Sequence, residues 1–151
     1  MKMNSMTYGL FQYYNDELNT WNRIVEFHKE ETGDLIRQIT VVLDQQINSP
    51  ANEKESGSFI DQFMVQQQEF DHVIHQIVSQ KQRLQRTTSS PGKPLENPFS
   101  NQQGSLRSQM QRIERNFVRT KYNCAMFLSS FLNDHVPVAV KLKTRNLALS
   151  N

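Results

Sequence analysis

Cysteine is nearly missing from this chain. Cys124 stands alone among 151 residues, which excludes an intrachain disulfide and any cysteine metal cluster. Glycine is scarce at five residues. No Gly-rich loop precedes a Lys-Ser/Thr pair, and there is no dinucleotide fingerprint. Hydrophobic residues make up only 36%, with no apolar run long enough to span a membrane. Met1 to Leu10 is polar and lacks the apolar centre of a signal peptide. A reducing, cytoplasmic setting is therefore expected. Gly-x-Ser-x-Gly, Cys-His pairing, zinc-finger spacing and a basic zipper are all missing. An enzyme is not expected, and no cofactor or metal is implied.

What remains is a rhythm. Leu106, Met110, Ile113, Phe117, Thr120, Cys124, Phe127 and Phe131 are spaced alternately by four and three. That is the seam of a helix lying along another helix. Tyr14, Leu18, Trp21, Val25, His28, Thr32, Leu35, Ile39, Val42 and Gln46 keep the same alternation, unbroken across Gly33. A third seam is read as Ile60, Phe63, Gln67, Phe70, Ile74, Ile77, Lys81 and Leu84. The fold class predicted is all-α: an up-down-up bundle of three long helices with heptad packing over 1–137.

The helices are placed at about 7–48, 58–87 and 103–135. Pro50 is read as ending the first, and residues 49–57 as a polar turn. Ser58 then caps the second, with Asp61 three residues on. Residues 88–102 read as a linker rich in Pro, Ser, Asn and Gln. Within it, Leu95 and Phe99 either fold back on Phe11, Tyr13 or Tyr14 or stay exposed. The tail over 138–151 alternates Val138, Val140 and Leu142 with Ala139, Lys141 and Lys143. It is read as loosely packed rather than as a strand on a partner's sheet.

Charge is uneven. Residues 1–100 hold nine Lys/Arg against thirteen Asp/Glu, and residues 101–151 hold eight against two. The basic end is expected chiefly to neutralise the acidic helices beside it. Arg112, Arg115 and Arg119 make a basic stripe off the third seam, suited to phosphates or an acidic helix. Few aromatics accompany it at stacking spacing, so nucleic acid is not the expected partner.

Glu69-Phe70-Asp71-His72 matches half of a di-iron helical motif. The motif occurs once, however, and Glu69, His72 and His75 fall off the seam. A metal site using His28 with Glu31 or His72 is the residual alternative. His28 is read instead as part of a polar layer with Thr32 and Thr120 that fixes register. Cys124, on the seam, is read as a small buried hydrophobe.

The run Leu18-Asn19-Thr20-Trp21-Asn22-Arg23-Ile24-Val25-Glu26-Phe27-His28-Lys29-Glu30-Glu31, followed by the seamed helices, resembles small uncharacterised helical proteins common in the Bacteroidetes. The resemblance spans about residues 10–135 and implies no activity, cofactor or site residue. The residues expected to make contacts with another chain are Tyr122, Met126, Leu128 and Leu132, apolar and off the third seam. The sequence thus predicts a helical protein–protein interaction module, self-associating or bound to another protein. Binding of an acidic polymer by the arginine stripe is the alternative.

Overall fold

The computed structural model describes residues 5–45, 49–88 and 97–135. Three helices fill them: α1 (Ser5–Asp44), α2 (Pro50–Thr88) and α3 (Asn97–His135). At 1.5 Å per residue each is about 60 Å long. Lys29 of α1 meets Asp71 of α2 at 2.6 Å, and Glu17 of α1 meets Arg107 of α3 at 2.7 Å. Glu31, farther along α1, meets Lys121, farther along α3. So α1 and α3 run parallel; α2 runs against them, since Phe59 meets Phe127 while Gln80 meets Gln103, and the bundle is up-down-up.

Two helices start earlier than their sequence signals suggest, and both carry a proline in the first turn. Pro50 opens α2 rather than closing α1, so residues 50–57 are helical and not a turn. Proline loses nothing at a first helical position, where its missing N–H has no acceptor anyway. The Ser49 carbonyl accepts from Glu53 N at 3.0 Å, and Glu53 places an acid in the first turn. Ser58 is consequently not a cap: Gln62 Nε2 donates to its carbonyl at 3.3 Å and to its Oγ at 3.2 Å. Pro98 stands in the first turn of α3. Phe99 is therefore helical and buried, its ring 5.6 Å from Tyr14. Of the linker expected over 88–102, only 89–96, with Leu95, lie outside the described residues, as do 46–48 and the tail from 136.

The α3 seam is buried from Leu106 to Phe131; on α1, Leu18, Trp21, Val25, Thr32, Ile39 and Val42 are buried, Tyr14, His28 and Leu35 are half-buried, and Gln46 lies outside the described residues. Phe99 and Gln103 extend the α3 seam upstream. The α2 seam is shifted at alternate positions. The buried residues are Ser56, Phe59, Phe63, Gln66, Phe70, Val73, Ile77, Gln80 and Leu84. Phe59, Gln66, Val73 and Gln80 thus replace Ile60, Gln67, Ile74 and Lys81, which are half-buried on the flank toward α1. The reason is that α2 packs against both neighbours, so its apolar stripe is wider than one seam.

Side-chain size sets the spacing of the helices. Between α2 and α3 the layers are phenyl rings, with centroids 5.6 Å apart for Phe70–Phe117, 6.4 Å for Phe63–Phe117 and 5.5 Å for Phe59–Phe127. Around the middle of the α1 seam Val25, Thr32 and Ile39 are smaller, and the α1 and α2 backbones approach most closely.

Candidate interaction surface

Contacts between α1 and α3 form polar rungs one above another. Arg107 grips Glu17 bidentately, Nε to Oε2 at 2.9 Å and Nη2 to Oε1 at 2.7 Å. This bond holds its guanidinium above its usual pKa. Arg107 also lies over the Trp21 ring, 6.0 Å from its centre. Next, His28 Nε2 faces Glu114 at 3.5 Å, and Glu31 pairs with Lys121. Arg112 reaches Glu69 of α2 at 3.7 Å. The basic end thus neutralises acids of α1 and α2 at these rungs.

The polar register device differs from the one expected. Thr32 Oγ1 donates to its own helix at His28 O, 2.6 Å away. Thr120 accepts from Gln66 Nε2 at 2.8 Å. His28 lies against Phe117, ring centroids 4.8 Å apart, with Nδ1 at 3.6 Å from Glu31. No shared His28–Thr32–Thr120 layer forms, because each threonine hydroxyl donates to the carbonyl four residues back on its own helix. The layer joining all three helices lies at the other end. Gln80 of α2 donates to Gln103 Oε1 of α3 at 3.1 Å and to Phe99 O at 3.1 Å. Gln103 Nε2 in turn donates to Glu17 Oε1 of α1 at 2.9 Å. Gln103 is 0% exposed and Gln80 1%, so these amides depend on each other rather than on water.

His72 and His75 are exposed on α2. Among the described residues, no three His, Cys, Asp or Glu come together to hold a metal ion. Cys124 is fully buried, and burial pushes its thiol up to about 12. A thiol so shifted carries almost no thiolate at neutral pH.

On the outside of α3 the two features read separately from sequence become one. Arg112, Arg115, Arg119, Tyr122 and Met126 follow each other by three, four, three and four residues. They form an exposed second seam opposite the buried one. Tyr122 is 64% exposed and Met126 56%. Val118, 55% exposed, lies beside Arg115 and Arg119. Among the described residues neither Arg115 nor Arg119 has a carboxylate within ion-pair distance. Leu128 lies elsewhere, half-buried against the core. The side chain of Leu132 falls outside the described residues.

Beside the Met126 end, a groove of about 590 Å3 opens between α2 and α3. Phe59, Phe127 and Phe131 line it, rimmed by Gln62, Asn123 and Ser130. Arg112 and Glu69 bridge the same α2–α3 flank farther along the bundle. Among the described residues no helix is long and apolar enough to cross a membrane. Compared with known proteins, the chain matches no family model, no curated protein and no solved structure.

Proposed function

We propose that this protein is a non-enzymatic structural or adaptor module that works by helix-on-helix contact with another protein chain. The observation that carries the reading is the exposed seam Arg112–Arg115–Arg119–Tyr122–Met126. It has the spacing of a packing surface, and apart from the Arg112–Glu69 pair at one end and the groove beside Met126 at the other, no described helix of its own bundle packs against it. Burying apolar area from such a seam returns about 25 cal/mol per Å2. Tyrosine and arginine are also the side chains that concentrate binding energy in protein contacts.

The test is a Tyr122→Glu, Met126→Glu double variant, compared with the wild type by sedimentation velocity and circular dichroism. Both side chains are exposed, so helicity and thermal midpoint should stay unchanged while association is lost. Unfolding of the variant would place these residues in the core and sink the reading.

A second reading has one observation in its favour. Arg115 and Arg119 lack a carboxylate partner among the described residues, which leaves two cations for an acidic polymer. Binding of that kind weakens steeply with salt and disappears with nuclease when the polymer is nucleic acid. It would also survive replacement of Met126 by glutamine.

A further inference from the structure

The outer face of α1 carries a patch that matches the α3 seam. Arg23, Glu26, Phe27 and Glu30 are all exposed, Phe27 by 60%. Among the described residues none of these three charged groups has an ion pair within 4.0 Å. On α3, Arg115, Val118, Arg119 and Tyr122 are likewise exposed. The two sets have the same spacing: three residues, then one, then three.

Laid antiparallel, the sets pair in one register with complementary chemistry at every position. Glu30 meets Arg115 and Glu26 meets Arg119, charge against charge. Phe27 meets Val118, apolar against apolar. Arg23 meets Tyr122, a guanidinium against an aromatic face. Laid parallel, Arg23 would face Arg115 and Tyr122 would face Glu30, so the match belongs to one direction only.

One molecule cannot make this contact with itself, because both patches face outward from different helices of the same bundle. We infer that the α1 patch of one copy docks on the α3 seam of a second copy, head to tail. This inference rests on the proposed function and names the partner. Each copy then presents one free patch of each kind, so assembly continues into an open chain or closes into a ring. Two helical turns bury far less than the roughly 800 Å2 per partner of a standard stable interface. The association is therefore weak, rises with protein concentration and falls with salt.

The test is a charge swap followed by mixing. Glu26→Arg, Glu30→Arg makes both patches basic. Arg115→Glu, Arg119→Glu makes both acidic. Sedimentation velocity at low salt should show each variant alone associating about tenfold or more weakly than wild type, since like charges now face each other. An equimolar mixture should recover association, because each variant supplies the other's complement. Circular dichroism verifies that both fold. No recovery on mixing overturns the head-to-tail pairing. If Tyr122→Glu, Met126→Glu abolishes association while the charge swaps leave it intact, the pairing falls and the α3 contact surface stands. A wild type that stays monomeric at all concentrations overturns the pairing and leaves a different protein as the seam's partner.

Discussion

Glu17 should matter to stability mainly through an amide on another helix. Its carboxylate takes both Arg107 nitrogens and the Gln103 Nε2 donor at 2.9 Å. Glu17→Ala removes these three acceptor contacts and a longer, exposed one from Tyr13 Oη at 3.5 Å. Arg107 is 40% exposed and regains water, so its share of the loss is about 0.5 kcal/mol. Gln103 cannot reach water, being 0% exposed, and its Nε2 keeps only Tyr14 O at 3.5 Å. Stranding a buried donor costs about 1–3 kcal/mol. The variant should lose about 1.5–3.5 kcal/mol in urea unfolding followed by circular dichroism.

The same substitution made on a Gln103→Leu background strands nothing, and Gln80 Nε2 keeps Phe99 O at 3.1 Å. There Glu17→Ala should cost less than about 1 kcal/mol. The difference, about 1–3 kcal/mol, is the coupling between the two sites. Equal costs on both backgrounds would refute the claim that the buried amide, rather than the ion pair, is what Glu17 serves.

Gly33 sits inside α1, where an added Cβ would meet only Arg37 Nη1 and Gln67 Nε2, each at 3.7 Å in ordinary contact. Gly33→Ala should therefore stabilise by about 1 kcal/mol, raising the thermal midpoint by about 2–4 °C; a lower midpoint would mean that α1 and α2 need the missing methyl. Cys124 should resist a thiol reagent at pH 8 until urea unfolds the bundle, and rapid labelling of the folded protein would contradict its burial. Because folding raises this thiol from 9.0 to about 12, its contribution is complete below pH 9 and is lost as pH climbs toward 12. The urea midpoint of wild type should accordingly fall more than that of Cys124→Ala across that interval.

The α1 and α3 seams were legible because each has a single apolar stripe and few rival residues beside it. The phase of α2 was not. Phe59 and Ile60 are both apolar neighbours, as are Val73 and Ile74, while Gln66 stands beside Gln67 and Gln80 beside Lys81. Local spacing cannot choose within such pairs. Partners across the bundle choose: Thr120 for Gln66, and Gln103 with Phe99 O for Gln80. The helix starts failed for a related reason, since a proline that opens a helix looks in sequence like one that closes it. In the candidate surface, the arginines and Tyr122–Met126 were visible as two features. Their union needed only the spacing to be carried past Arg119, whereas the matching patch on α1 needed the exposure of Phe27, which sequence does not give.

The most direct measurement places a photo-crosslinking amino acid at position 122, with Val78 (46% exposed on α2) as the control position. Irradiating a mixture of isotopically light and heavy protein and mapping the linked peptides shows which surface another chain covers. Intermolecular cross-links are expected from position 122 to the α1 segment around Arg23 and Phe27, and few from position 78. Equal yields from both positions, or cross-links from 122 only within its own chain, would contradict a role for the outer seam of α3 in assembly.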